Sequence, residues 1–307
     1  MMSTQTASRI AFDRILLATD FTSASDKALE YALSLARYYD SKLVVAHIVP
    51  PVVISRDGED WFSKTDLQRQ ANEQMKALSK DLEDKGISFQ TRIEEGPTRK
   101  HLVDTAERTK ADLIVMGTHG LLKVDKFMLG SMAEAVLRST SRPVLTVGPN
   151  VTRRPQYELR FKNIILATEL PPASDRAARY AFSLGQEHQA HITLVHVLAP
   201  NIYLDADVYR VMDEFKKELQ ELVPSDSCTW CEPECVLEYG LSADAILSLA
   251  SERGADLIVM GARKAPALLS HFRAGVAYKV IANASCPVLT IGPTNDVIDK
   301  NASLRWS

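Results

Sequence analysis

"ADLIVMG" occupies residues 111–117 and returns letter for letter at residues 255–261. Other blocks repeat around it in the same order. "RILLATD" (14–20) returns as "NIILATE" (163–169), "KLVVAHIVP" (42–50) as "HITLVHVLAP" (191–200), and "RPVLTVGP" (142–149) as "CPVLTIGP" (286–293). Ordered matches of this kind mark a duplicated domain, not a short-period solenoid. The offset between copies falls from 149 positions in the early blocks to 144 in the late ones. The first copy is therefore longer in its middle, around "VVISRDGEDWFSKTD" (52–66). The polar, proline-containing stretch "NVTRRPQYELRF" (150–161) has linker character. Two domains are expected, 1–150 and 151–307, and a chain of 307 residues accommodates both.

Each copy alternates strand and helix patterns. "ILLAT" is a short, continuous apolar run, as in a strand buried on both faces. A helix should begin near Ser25, a plausible N-cap, with Leu29, Leu33 and Ala36 on one face. "LVVAHIV" reads as a second strand. Leu67, Ala71, Met75, Leu78 and Leu82, spaced three and four apart, mark a second helix that stops at Gly86. "ISFQTRI", "RKHLVDTAERT", "DLIVMG", "SMAEAVLRST" and "PVLTVG" continue the alternation to a fifth strand. The second copy follows suit, with Val208, Met212, Phe215, Leu219 and Leu222 striping its second helix. Five strands alternating with four helices predict an α/β domain with a parallel sheet.

Composition excludes several classes. A net charge of −3 argues against a general nucleic-acid binder, which would carry a basic face. The N-terminus "MMSTQTASRI" lacks an apolar signal core, and the longest apolar runs are strand-sized, so no membrane span is expected. Four cysteines do not make a disulfide scaffold in a chain of this size, and a reducing cytoplasm is the expected location.

The stretch that follows the repeated strand is "GTHGLLKVDKFMLGS" (117–131), spaced Gly117-x2-Gly120-x9-Gly130-Ser131. Ligands of open parallel sheets bind past the carboxyl ends of the strands, where strand order reverses. Gly117 ends the fourth strand and Asp20 ends the first. Gly130-Ser131 opens the fourth helix, whose free N–H groups and dipole favour an anion such as phosphate. Neither a Walker A loop nor a dinucleotide fingerprint occurs. Each glycine alone is equally at home as a turn or cap residue; it is their combination with Asp20 that suggests a ligand.

These residues, with "ATD" early and "PVLTV" late, resemble the universal stress protein (UspA-type) family over both copies. The resemblance implies two tandem domains, each a five-stranded parallel sheet in the order 3-2-1-4-5 flanked by four helices. It also implies pairing through strand five, here as an internal pseudo-dimer that would protect an apolar edge. In the nucleotide-binding branch of the family the motif binds ATP. Carried over, Gly117, Gly120, Gly130, Ser131 and Met132 would hold the phosphates and ribose, and Asp20, Ile48 and Met116 would line the adenosine side. A carboxylate repels a triphosphate unless a cation intervenes, so Asp20 should meet ribose or adenine donors, or Mg²⁺. Lys123 and Lys126 could add phosphate charge or form a solvated loop face. A homodimer of the whole chain and an unknown protein partner stay open.

The second copy departs from this pattern. Asp20 becomes Glu169 and Gly120 becomes Lys264. Without a gap, Gly130 and Ser131 become Ala274 and Gly275; with one inserted residue they become Gly275 and Val276. The hydroxyl is lost either way, and Pro266 restricts the loop. ATP binding is therefore expected once per chain, in the first domain, with the second copy a structural or regulatory partner.

Two further features stand outside this pattern. Cys228, Cys231 and Cys235 precede or enter the second copy's third strand, while His188 and His191 precede its second. Cys228, Cys231, His188 and His191 would suit tetrahedral zinc, although each residue is also common in a loop or strand start. Cys286 reads as a packed small residue. No nucleophile elbow or zinc-protease helix is present, so catalysis is weak ATP hydrolysis at most. The alternatives are a nucleotide hydrolase or nucleotidyl transferase using His119 and Asp20, and an interaction protein that binds no nucleotide.

Overall fold

The computed structural model describes residues 10–51, 64–118, 130–152, 155, 159–170, 175–198, 208–261 and 275–292. The chain forms two compact units. One spans Phe12–Pro149 and takes in the segment Arg154–Leu159; the other spans Arg160–Ser307 and takes in Met1–Ala11 and Asn150–Arg153.

In the first unit the order is β1 (Arg14–Ala18), α1 (Ser23–Tyr39), β2 (Lys42–Val49), α2 (Lys64–Asp84), β3 (Phe89–Glu95), α3 (Thr98–Arg108), β4 (Leu113–Gly117), α4 (Ser131–Ser139) and β5 (Val144–Val147). All pairings are parallel: β1 with β2 and β4, β2 with β3, and β4 with β5. The strand order is thus 3-2-1-4-5, and β1 is the central strand. Its Ile15, Leu16 and Leu17 are 0% exposed, which is why the run is apolar without alternation. Helix α1 packs on β1 and β4, α2 on β2 and β3, and α3 on β2 and α4.

The second unit repeats the scheme with β6 (Asn163–Ala167), α5 (Asp175–His188), β7 (His191–Leu198), α6 (Val208–Glu221), β8 (Glu234–Tyr239), α7 (Ser242–Glu252), β9 (Leu257–Gly261), α8 (Val276–Asn283) and β10 (Val288–Ile291). Here β6 pairs with β7 and β9, β7 with β8, and β9 with β10, all parallel.

Sequence expectations for the elements hold with local shifts. Helix α1 starts at Ser23 with Thr22 as N-cap, so Ser25 is its third residue and not the cap. Its buried face is centred on Ala28, Tyr31, Ala32, Leu35 and Ala36, and Leu29 is only half-buried. Ala71, Met75 and Leu82 bury the core face of α2, and Gly86 at φ +67 ends it in the left-handed region that favours glycine. The middle of the first copy's insertion falls outside the described residues.

The aspartate of "ADLIVMG" explains part of the identity between copies. Asp112 Oδ2 accepts the Arg14 N–H at 2.9 Å, and the Asp112 N–H donates to the Arg14 carbonyl at 2.8 Å. In the second unit Asp256 Oδ2 accepts the N–H groups of Lys162 (2.7 Å) and Asn163 (3.1 Å). In both units the residue before the fourth strand therefore fastens the start of the central strand. Asp256→Ala removes the acceptor of two part-buried N–H groups and should cost about 2 kcal/mol, read as a lower urea midpoint for the second unit.

Candidate functional site

The carboxyl ends of β1, β2 and β4 meet where strand order reverses. Register places Ala18 beside Ala46 on one side and beside Met116 on the other. The chain leaves β1 through Thr19, Asp20 and Phe21, and each is fixed by a specific contact. The Thr19 N–H donates to the Ala46 carbonyl at 2.9 Å, and its side-chain oxygen accepts the Phe21 N–H at 3.0 Å. That turn holds Phe21 at φ +58, a left-handed conformation uncommon for a bulky residue.

Asp20 uses one carboxylate oxygen for the fold. Oδ1 accepts the Thr22 hydroxyl (2.6 Å), the Ser25 hydroxyl (2.6 Å) and the Thr22 N–H (3.1 Å), tying it to the first turn of α1. No hydrogen bond among the described residues reaches Oδ2. Ile48 and Met116, near the carboxyl ends of β2 and β4, are buried, 6% and 2% exposed.

The loop between β4 and α4 has a closed base. Gly130 N–H donates to the Thr118 carbonyl at 2.7 Å, and Thr118 is itself buried. Residues 119–129, which include Gly120, His119, Lys123 and Lys126, lie outside the described residues. Gly130 is the N-cap of α4, with φ −60 and ψ 145, and makes no side-chain capping bond. Ser131 and Met132 are therefore the first residues of a helix whose leading N–H groups have no side-chain acceptor at the cap.

Gly117 has a structural duty that its spacing did not reveal. A Cβ there would lie 2.8 Å from the Ala24 carbonyl oxygen, so the first turn of α1 can pack only against a glycine. Gly130 differs, since its backbone angles suit any residue.

His47, the neighbour of Ile48, is a functional-site residue that motif spacing does not reveal. Its Nδ1 bonds the Thr19 carbonyl at 2.9 Å, and its ring lies against Phe21, 4.7 Å between centroids. Burial holds its pKa below 6.5, opposed by the Thr19 carbonyl and the Asp20 charge. The ring is thus neutral near pH 7 and donates its Nδ1 proton to Thr19. The available signal was its recurrence: His196 makes the same bond to Thr168 at 2.9 Å, and Leu170 repeats the left-handed turn at φ +75.

The two units differ where a ligand would sit. Glu169 is exposed, whereas Asp20 is half-buried. Thr22, which supplies two of the three donors to Asp20, is replaced by Pro171, which has neither an N–H nor a hydroxyl. Helix α8 begins at Val276 with Gly275 as N-cap. Gly275 is therefore the counterpart of Gly130 and Val276 that of Ser131, which selects the alignment with one inserted residue.

The zinc arrangement does not form. Among the described residues no group of three or more His, Cys, Asp or Glu gathers as around a metal ion. His188, at the end of α5, is buried against Phe161 with ring centroids 5.0 Å apart, while His191 is exposed on β7. Among the described residues no helix is long and apolar enough to cross a membrane.

A family model described as the Universal stress protein family matches residues 11–148 and 160–292. A universal stress protein of Methanocaldococcus jannaschii is 32% identical over 139 residues, 44% of this chain and 82% of that one. One from Mycolicibacterium smegmatis is 22% identical over 294 residues, 91% of this chain and 97% of its own length. A crystal structure of a universal stress protein from Archaeoglobus fulgidus superposes with a TM-score of 0.71 at 24% identity, covering 92% of this chain and 97% of that one, and shares the fold. The chain belongs to the universal stress protein family and carries two copies of its domain.

Two measurements test this geometry. Gly117→Ala should destabilise the first unit by about 1–3 kcal/mol through overpacking against Ala24, seen as a lower melting temperature. NMR titration should place the His47 midpoint below 6.5. Because folding depresses this pKa, the histidine's contribution to stability is complete above pH 6.5 and is lost as pH falls through the folded value.

Proposed function

We propose that this universal stress protein binds ATP in its first domain, at the carboxyl ends of β1, β2 and β4, and signals stress through a change of conformation or partner. The observation that supports it most is the division of labour in Asp20. One oxygen holds α1 in place, and the other remains for a ribose or adenine donor, or for a Mg²⁺ that screens it from the phosphates. The residues present fit such a ligand. The start of α4, free of a side-chain cap, can take a phosphate on the N–H groups of Ser131 and Met132. Ile48, Met116 and Gly117 form the floor. What ATP supplies is a charged, detachable group whose presence biases loop and partner states. The chain contributes orientation and charge, with hydrolysis slow at most. The second domain, with Glu169, Pro171 and Val276 at the matching positions, does not bind ATP in this manner. In this reading the protein works in the cytoplasm.

Denaturing freshly purified protein and separating the supernatant by HPLC should release adenine nucleotide, and calorimetry on the emptied protein should count one ATP per chain. No nucleotide and no binding heat would sink the reading; two equivalents would overturn the single site. Asp20→Asn keeps Oδ1 for the helix cap and should weaken ATP binding about tenfold. Steady turnover with Mg²⁺ at many cycles per minute, lost in His119→Ala, would instead favour a hydrolase.

A further inference from the structure

The second unit contains a feature that nucleotide binding does not use. Residues 224–231 wind through a tight turn before β8: Ser227 N–H donates to the Pro224 carbonyl (3.0 Å), Thr229 N–H to that of Asp226 (3.1 Å), and Trp230 and Cys231 N–H both to that of Ser227 (3.0 and 2.8 Å). The 3₁₀ segment Ser227–Thr229 holds Cys228, and Cys231 follows it by three positions. Cys231 lies just past that segment, but its N–H bond back to Ser227 carries the winding on to it, and three residues of such a winding rise about 6 Å, inside the roughly 4.4–6.8 Å Cα window of a disulfide.

The turn is anchored from below. Ser227 is 0% exposed. The Trp230 ring stands edge-on to Phe182 of α5, 6.5 Å between centroids, and covers Gly185 so closely that a Cβ there would lie 3.3 Å from it. This anchorage leaves Cys228 exposed and Cys231 half-buried, with all four cysteines of the chain as free thiols. The other two are poorly placed to react. Cys286 is 4% exposed, and burial pushes its thiol up to about 12. Cys235 sits in β8 opposite Leu194, its pKa raised by burial and by Glu234. Burial raises the Cys231 thiol, the Ile192 backbone holds it back, and the charges of Cys228 and Glu232 raise it further.

We propose that Cys228 and Cys231 form a reversible disulfide within this turn, a redox modification site on the second domain. With a low-molecular-weight disulfide as oxidant, the Cys228 thiolate attacks one sulfur, forms a mixed disulfide and releases one thiolate. Cys231, having lost its proton to water, attacks the Cys228 sulfur and expels the second. Two protein thiols become one disulfide, and the oxidant is reduced to two thiols. Cys228 is the entry thiol because it is exposed, and Cys231 is the resolving thiol because the turn holds it one winding away.

The test uses the full chain incubated with oxidised glutathione, quenched in acid, alkylated and mapped by mass spectrometry. The expected product has lost two hydrogens, shows two fewer alkylated thiols, carries a bridge between Cys228 and Cys231, and returns to the starting mass with dithiothreitol. Cys231→Ser should stop at a glutathionyl adduct on Cys228. Accumulation of that adduct in the unmodified protein, a bridge to Cys235, or a disulfide-linked dimer of chains would each overturn the proposal. Should Cys231→Ser fold poorly by circular dichroism, the peptide map of the unmodified chain still decides between these products.

Discussion

Each unit depends on a central strand that water cannot reach. A strand covered on both faces has only its neighbours as hydrogen-bond partners, so β1 must pair along both edges, and it does so with β2 and β4. Occupying both edges forces the connections after β1 and after β4 to run in opposite directions. That divergence lies at the carboxyl ends, the end of the sheet at which Asp20 and the start of α4 are also found. The candidate site follows from the solvation of one strand's backbone, with Asp112 and Asp256 securing the opposite end of the same strand in the two units.

Duplication singles out the features that the fold itself requires. The Thr19–His47 and Thr168–His196 bonds have the same length, and Phe21 and Leu170 share the left-handed turn. These features persist because β1 and β2, or β6 and β7, must be joined at their ends whatever binds above them. Gly117 belongs with them, since the Ala24 carbonyl leaves no room for a side chain, and its counterpart Gly261 is kept. Asp20, Thr22, Gly120 and Ser131 are all exchanged in the second copy, and none of them is required to close the sheet.

Much of this was legible in the sequence. Apolar runs, helix stripes and repeated blocks identified the strands, the helices and the duplication, because burial on both faces and periodicity 3.6 leave direct traces. Helix starts were less legible. Ser25 looks like a cap, yet Thr22 takes that place and Ser25 instead donates to Asp20, a choice made by a carboxylate five residues away. His47 left no trace beyond its recurrence, since its role depends on a carbonyl 28 residues distant in the chain. The zinc arrangement failed for a related reason: spacing along the chain said nothing of the Phe161 ring that buries His188.

The bond between Gly130 N–H and the Thr118 carbonyl has a consequence for how such a chain can change. It acts as a drawstring, holding the two ends of the intervening loop together whatever lies between them. Insertions and substitutions in the loop are then mechanically insulated from the sheet and helix on either side. Sequence can change there while the sheet and helix on either side keep their geometry.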